Sequence, residues 1–213
     1  MNIADMNILE AIIDTPNFML EPINIAHANT LFEQIQDENL YVYIPIEPPK
    51  TIEQLRSKYE RWSKRKSADG KELWLNYIIF DKVNRFCIGT LQATLTSEGK
   101  NYFAYEILPK FWKQGKATET VSYFIDFIFE KFEISQLTAH IDTRNMSSIA
   151  LVKKLGFKEA EHLINADFFK SSQSDEFVFE LSREFWKTNL DQEIKQKHLV
   201  NHKFTRCFCI KKT

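Results

Sequence analysis

The chain has 213 residues, a formal net charge of −1 at pH 7 and 44% hydrophobic residues, which fits one packed domain with short appendages. A net charge so close to zero argues against a dedicated nucleic-acid binder. Cys87, Cys207 and Cys209 have neither metal-ligand nor disulfide-framework spacing, and neither a leader nor a membrane-length apolar run is apparent. We therefore expect a cytoplasmic protein with no metal and no membrane partner.

The first sixteen residues form a segment of their own. Over Asn2–Asp14 apolar residues recur at helical spacing, which predicts a short amphipathic helix with Ile3, Met6, Leu9 and Ile13 on one side. We place an N-terminal amphipathic segment at residues 1–16, ahead of the main domain.

A strand and two helices are predicted next. Phe18–Ile23 is typical of a strand, and Pro22 favours a sheet edge or a strand end. The prolines of Ile44–Pro49 exclude a helix there, so a loop follows the first helix, and Thr51 suits the cap of a second helix. The basic run Arg61–Lys66 fits the end of that helix, where cations are favourable, and we expect it to be solvated.

The second half of the chain alternates strands and helices. Strands are predicted over Leu73–Phe80, Arg85–Thr94, the residues up to Leu108, Gln136–Asp142, Phe157–Ile164 and Glu176–Leu181, and helices over Lys116–Phe132 and Ser147–Leu155. This order predicts the α/β (α+β) class, with a mixed, mostly antiparallel sheet of about seven strands flanked by helices.

The stretch before the long helix predicts an anion site. Residues 111–119 lead from a turn into the helix start, where backbone N–H groups lack partners and the helix dipole favours an anion. Gly115 lets the backbone approach a ligand, and Ala117 keeps the first turn uncrowded. A Walker A loop is excluded because Lys110 and Ala117 stand where it needs Gly and Ser or Thr, and G-x-G-x-x-G is absent.

This turn and two later segments resemble the GNAT superfamily of N-acetyltransferases. The family pattern Gln/Arg-x-x-Gly-x-Gly/Ala is matched here by Trp112-x-x-Gly115-x-Ala117, and an aromatic-Trp pair is usual in the ribosomal-protein N-terminal acetyltransferase (RimJ/RimL-like) branch. Asn145-x-x-Ser148-Ile149 and Lys154-Leu155-Gly156-Phe157 are similar to the same branch. The resemblance runs from Phe18 to Trp186, so we predict the domain at 17–186 and a C-terminal extension of unassigned role at 187–213.

The resemblance implies that the fourth and fifth strands of this fold splay apart and that acetyl-CoA enters between them. It implies that the pantetheine arm lies along a strand edge formed by Tyr105, Glu106 and Ile107, and that a helix start with Asn145 and Ser148 also contacts the cofactor. The pyrophosphate would be held by the turn of Lys113, Gln114, Gly115, Lys116, Ala117 and Thr118. The side chains of Lys113 and Lys116 either add charge or lie in solvent. Asn145 also suits a helix cap, and both of its roles are compatible.

Acetyl transfer to an amine needs a base for the amine, donors for the oxyanion and an acid for the thiolate. His140 lies on the polar side of its strand, five residues before Asn145, where some N-terminal acetyltransferases carry a Glu base. A histidine can accept a proton near neutral pH, but a His on a solvated sheet face is the alternative interpretation. Glu106 is a second candidate base.

Ser148 is the candidate acid, because it stands where this branch has a serine near the thiolate. Two departures from the family leave the assignment open: Val152 replaces the Tyr of many relatives, and Tyr102 stands where many carry a Glu.

The family's acceptor wall is built by the Ile44–Pro49 loop and the second helix, so Tyr41, Tyr43, Glu47 and Glu53 either meet a cationic amine or form loop surface. The predicted function is an acetyl-CoA-dependent N-acetyltransferase acting on a protein N-terminus or a small-molecule amine. The alternative is a catalytically weak CoA-binding or regulatory module. Both a monomer and a homodimer fit the sequence.

Overall fold

Residues 7–189 are described by a computed structural model of the chain, in which eight strands form one sheet in the order β1-β2-β3-β4-β5-β6-β8-β7. The strands are β1 (Ile13–Asp14), β2 (Phe18–Pro22), β3 (Glu72–Asp81), β4 (Cys87–Thr96), β5 (Tyr102–Ile107), β6 (Gln136–Asp142), β7 (Lys158–Phe169) and β8 (Ser172–Ser182). Neighbouring strands are antiparallel except β5 and β6, which are parallel. The predicted mixed, mostly antiparallel class is confirmed.

Helices cover both faces of this sheet. They are α1 (His27–Leu31), α2 (Ile52–Trp62), α3 (Lys116–Lys131) and α4 (Met146–Lys154), with a further helix over 183–189. One side of α3 is apolar and faces the core, since Val121, Phe124, Ile125 and Ile128 are completely buried. No helix within residues 7–189 is long and apolar enough to cross a membrane.

The sheet separates two hydrophobic cores. Leu55 and Tyr59 of α2 pack with Ile78 in the core beneath α1 and α2. On the other face, Phe124 of α3 packs with Phe103 of β5 in a larger core that also holds α4. Because side chains alternate along a strand, the even-numbered residues of β5 face the α1–α2 side and the odd-numbered residues face the α3–α4 side.

Strands β5 and β6 diverge, as predicted for the fourth and fifth strands of the fold. They pair only at Tyr102 and Thr138, close to the start of each strand. At this junction Thr138 N donates to Asn101 O (2.7 Å), and Asn101 Nδ2 donates to Gln136 O (3.1 Å). The remaining length of the two strands, within the described chain, borders an open slot.

The N-terminal segment differs from its prediction. Residues 1–6 lie outside the described residues, 7–9 are helical, and Ile13–Asp14 is not helix but the edge strand β1, paired with Leu20 and Met19. Leu9 and Ile13 are buried as the pattern required. The helical prediction for Ile13 is wrong because a tight turn, in which Thr15 N donates to Phe18 O (2.9 Å), returns the chain onto the exposed edge of β2.

Arg65 contradicts the expectation that the basic run after α2 is solvated. Its side chain is only 3% exposed and forms two hydrogen bonds with the Glu10 carboxylate, at 2.8 and 3.0 Å. A third nitrogen donates to Ile23 O at 2.8 Å. A buried guanidinium requires such partners, and here they connect the N-terminal segment, the end of β2 and the end of α2.

Candidate active site

The turn between β5 and α3 has the geometry of an anion site. Gly115 is the N-cap of α3 and adopts a left-handed conformation (φ 76°), as does Lys113 (φ 59°). Among the described residues, no group accepts a hydrogen bond from the backbone N–H groups of residues 113–117. A Cβ added at Gly115 would meet no atom within 4 Å, so the space beside Gly115 is open at this helix N-terminus.

The side chain of Lys116 turns away from this space. Its Nζ lies 3.5 Å from Asp81 Oδ2 and over the rings of Phe18 and Phe111. The predicted direct charge contribution of Lys116 therefore does not fit its position, although its backbone N–H belongs to the turn. Lys113 is exposed beside the turn.

Trp112 anchors the turn to the end of β5. Its indole Nε1 donates to Ile107 O, which draws the turn against the strand that borders the slot. The sequence indicated that Trp112 belongs to the turn, because it occupies the position of the family's Gln/Arg. It did not indicate which group accepts the hydrogen bond of the indole.

The free edge of β5 is formed by its odd-numbered residues. Leu108 N donates to Ile88 O (2.9 Å), and the register pairs Glu106 with Thr90, so the backbone of Glu106 faces β4. In agreement, a Cβ added at Gly89 would lie 2.0 Å from Glu106 O. The predicted backbone contact with pantetheine is thereby removed from Glu106 and left to its odd-numbered neighbours on the slot side.

Across the slot, the start of α4 brings three predicted residues together. Asn145 is the N-cap of α4, and its Oδ1 accepts from Ser148 N at 3.1 Å, so the cap interpretation is confirmed. The Ser148 hydroxyl accepts a hydrogen bond from Tyr105 OH, with 3.0 Å between the oxygens. Tyr105 thus contributes a hydroxyl as well as a strand edge, a contact that the sequence did not indicate.

The loop before Asn145 is held by a buried carboxylate. Asp142 accepts from Arg144 N (2.8 Å), from Arg144 Nε (2.9 Å) and from Ser174 Oγ (2.7 Å). Burial raises the pKa of Asp142, but these hydrogen bonds outweigh it and the net pKa is lowered. These hydrogen bonds connect Asp142 to Ser174 and to the loop that leads into α4.

His140 lies on the opposite face of the sheet from Ser148. Leu137 and Ala139 of β6 are buried in the α3–α4 core, so His140 points to the α1–α2 side, where it is exposed. Its Nδ1 lies 3.1 Å from Glu176 Oε2 of β8, and its ring lies 5.8 Å from that of Tyr102. If Nδ1 carries the proton shared with Glu176, Nε2 is left as an acceptor.

Glu106 also faces the α1–α2 side, where it is half-buried. Burial raises the pKa of Glu106, and the positive charge of Lys58 on α2 opposes that shift. Burial lowers the pKa of Lys58 in turn. No hydrogen bond or ion pair within 4 Å involves the Glu106 carboxylate within residues 7–189.

The four predicted acceptor residues are not equivalent. The hydroxyl of Tyr41 is occupied, because it donates to Ile35 O at 2.8 Å. Glu53 lies 3.6 Å from Arg56 on the outer side of α2. Tyr43 and Glu47 are exposed. Burial raises the pKa of Tyr41, and the negative charges of Glu106 and Glu47 raise it further.

The groups that can accept a proton and those that can donate one lie on opposite sides of the slot between β5 and β6. His140 and Glu106, which can accept protons, lie on the α1–α2 face, whereas the hydroxyls of Ser148 and Tyr105 lie on the α3–α4 face. The turn with the candidate anion site follows the end of β5, to which Trp112 connects it. A reacting carbonyl in this slot would meet bases from one side and hydroxyl donors from the other.

Comparison with known proteins identifies the family. The model of the acetyltransferase (GNAT) domain matches residues 17–158, two thirds of the chain and all of the turn and slot. The chain belongs to the GNAT acetyltransferase family. This GNAT protein is 24% identical over 150 residues to the uncharacterized N-acetyltransferase YoaA of Bacillus subtilis (strain 168), covering 70% of the chain and 83% of YoaA. It is likewise 24% identical over 169 residues to the uncharacterized N-acetyltransferase p20 of Bacillus licheniformis, covering 78% and 93%.

Solved structures share the fold. RimL, a ribosomal L7/L12 alpha-N-protein acetyltransferase in complex with coenzyme A, superposes with a TM-score of 0.72 at 14% identity, over 81% of this chain and 98% of RimL. Spermidine N-acetyltransferase from Vibrio cholerae, in complex with CoA and spermine, gives 0.69 at 17% identity, over 80% and 98%. At these identities the two structures show that this chain shares the GNAT fold.

Proposed function

We propose that this GNAT protein is an N-acetyltransferase that moves an acetyl group from acetyl-CoA to a primary amine. The observation that carries the proposal is the slot between β5 and β6 together with the turn after β5, where no group among the described residues accepts a hydrogen bond from the N–H groups of residues 113–117. Acetyl-CoA has a thioester at one end and a pyrophosphate further along the molecule, so its binding uses both the slot and the turn. A turn that only connects a strand to a helix requires neither a slot nor unpaired N–H groups.

In this proposal the pyrophosphate is held by the backbone of the turn that includes Lys113, Gln114, Gly115, Lys116, Ala117 and Thr118. The N–H groups of Tyr105 and Ile107 face the slot and are available to the pantetheine arm or to the oxyanion. Asn145 adds a contact with the arm while it caps α4. Acetyl-CoA, when bound, supplies the activated thioester.

His140 is the proposed base. Its Nδ1 is paired with Glu176, so Nε2 is the nitrogen that takes a proton from the attacking amine. Histidine is the side chain that most often acts as a general base in enzymes. Glu106 attracts the incoming ammonium group, because it is a carboxylate on the same face that forms no ion pair within 4 Å among residues 7–189.

Ser148 is the proposed acid on the opposite face. It belongs to the first turn of α4, where the helix dipole favours the negative charge that develops on a departing thiolate. In this proposal the amine adds to the thioester carbonyl from the His140 side, and the tetrahedral adduct then releases the thiolate toward Ser148.

The acceptor is a protein N-terminus or a small-molecule amine. RimL is named for the N-terminus of a ribosomal protein and the Vibrio cholerae enzyme for spermidine, so both classes belong in the test. Purified protein is incubated with acetyl-CoA and peptides or polyamines, free thiol is measured, and products are examined by mass spectrometry for an added acetyl group.

Thiol release that depends on one acceptor class supports the enzyme and names its substrate. Tight binding of acetyl-CoA by calorimetry, without transfer to any acceptor, would instead indicate the catalytically weak CoA-binding or regulatory module.

A further inference from the structure

We infer that Tyr105 and Ser148 form a proton relay, in which Ser148 protonates the departing thiolate and Tyr105 replaces the proton of Ser148. This inference rests on the proposed acetyl transfer. Its basis is the hydrogen bond from Tyr105 OH to Ser148 Oγ, 3.0 Å long, between residues 43 positions apart in the chain.

Both hydroxyls are held in place by their surroundings. The backbone N–H of Ser148 is bound to the side chain of Asn145 at 3.1 Å, which fixes the serine in the first turn of α4. The ring of Tyr105 stacks on Phe103, with 6.1 Å between centroids and 28° between planes. The phenol therefore reaches the serine from a packed position on the α3–α4 side of β5.

Ser148 alone is a poor acid for this step. An aliphatic hydroxyl is a far weaker acid than a phenol, whose ordinary pKa of about 10 lies close to the value of about 8.5 for a thiol. Val152, one turn further along α4, is completely buried and has no proton to give. A phenol behind the serine thus supplies acidity that the start of α4 lacks.

The relay balances as follows. As the carbon–sulfur bond of the tetrahedral adduct breaks, sulfur takes the hydroxyl proton of Ser148, and Ser148 Oγ takes the hydroxyl proton of Tyr105. The phenolate of Tyr105 is then reprotonated by water. Burial raises the pKa of Tyr105, only partly opposed by the bond to Ser148, so the phenol keeps its proton between turnovers. It gives the proton up only as Ser148 loses its own, because a serine alkoxide is a far stronger base than a phenolate.

The test uses the full-length protein, acetyl-CoA and the best acceptor amine. Tyr105→Phe keeps the stacked ring and removes only the hydroxyl, and Tyr123→Phe on α3 is the matched control. Single-turnover rates are measured in mixtures of H2O and D2O. We expect Tyr105→Phe to slow the chemical step by about 10²-fold, to leave acetyl-CoA affinity unchanged, and to remove one proton from the isotope dependence, while Tyr123→Phe matches the wild type.

A double-mutant cycle with Ser148→Ala completes the test. If the hydroxyls act as one relay, Tyr105→Phe causes little further loss once Ser148 is alanine. Independent, multiplying losses, or a Tyr105→Phe protein with the wild-type rate or isotope dependence, would overturn the relay while leaving acetyl transfer intact. If the wild-type protein releases no thiol with any amine, the proposed function itself fails and the relay fails with it.

Discussion

At the scale of single residues, His140 and Glu106 are two proton acceptors on one face of the sheet with opposite surroundings. His140 is exposed and paired with Glu176, whereas Glu106 is half-buried with Lys58 as its nearest opposing charge. An oriented imidazole suits repeated proton transfer, and an unpaired carboxylate suits attraction of a cation. The two roles predict different responses to substitution.

Replacing His140 should impair the chemical step. His140→Gln removes the imidazole that is proposed as the base, so we expect kcat/KM to fall by about 10²-fold. His162→Gln is the matched control, because His162 lies on β7 beside Asp175 (3.9 Å) and is also exposed. Steady-state assays from pH 5.5 to 9 provide the check, and a His140→Gln enzyme with a near-normal rate would remove His140 from the mechanism.

The ionised side chain of Glu106 should lower the free energy of unfolding at neutral pH. Because its folded pKa is raised, the folded protein holds this proton more tightly than the unfolded chain does. Its contribution to the free energy of unfolding is therefore fully favourable only below the ordinary carboxyl pKa of about 4, and it is lost as pH rises through the folded pKa.

Glu106→Gln should consequently unfold at higher urea concentration than the wild type at pH 8, with the difference shrinking toward pH 4, while acceptor KM rises. Glu98→Gln, an exposed turn residue, should change neither quantity. A Glu106→Gln protein that is less stable at pH 8 would show that the carboxylate is better compensated than its surroundings suggest.

Among the structural elements, the β5–α3 turn depends on a left-handed glycine. Gly115 and Gly70 share that conformation (φ 76° and 73°), and an added Cβ meets no atom within 4 Å at either. Alanine should therefore cost roughly 1 kcal/mol at each position. Only Gly115→Ala should also weaken acetyl-CoA binding in calorimetry, and equal affinities in the two variants would contradict the cofactor role of the turn.

The start of α4 offers a second paired comparison. Asn145 and Thr51 both cap helices through side-chain oxygens, with acceptor distances of 3.1 and 3.3 Å. Alanine at either position should lower the free energy of unfolding by about 1 kcal/mol. We expect acetyl-CoA affinity to fall only in Asn145→Ala. If both variants bind acetyl-CoA normally, Asn145 is a cap and nothing more.

The periodicity of apolar residues predicted the bounds of those helices and strands that bury one continuous side. The bounds of β6 agree with the prediction at both ends, and α3 differs by one residue, because their apolar residues face a core along the whole length. The same reasoning gave a wrong prediction for Ile13, because a buried apolar residue at that position is compatible with a helix and with a strand. The bonds of Tyr105 to Ser148 and of His140 to Glu176 join residues 43 and 36 positions apart, and such pairings depend on strand order, which local patterns do not contain.

At the scale of the whole molecule, the sheet separates two helical layers, and the slot between β5 and β6 opens between them. The proposed reaction in the slot requires both layers to keep their positions against the sheet. The α3–α4 layer is fixed by a large core. The α1–α2 layer has a smaller core and depends in addition on Arg65, which follows α2 and reaches Glu10 and Ile23 O. The N-terminal segment thereby supports the face on which the acceptor is proposed to bind.

Removing Glu10 should loosen that face. Glu10→Ala leaves the buried Arg65 guanidinium with only its carbonyl partner, so we expect a loss of about 2 kcal/mol in the free energy of unfolding. The control is Asp14→Ala, which breaks a 2.7 Å contact with Lys82 made by a carboxylate that is 72% exposed and should cost less than about 1 kcal/mol. Because α2 borders the acceptor side, acceptor KM should rise in Glu10→Ala while acetyl-CoA affinity stays constant. Equal urea midpoints for the two variants would mean that Arg65 is satisfied without Glu10, and that the N-terminal segment contributes through Leu9 and Ile13 alone.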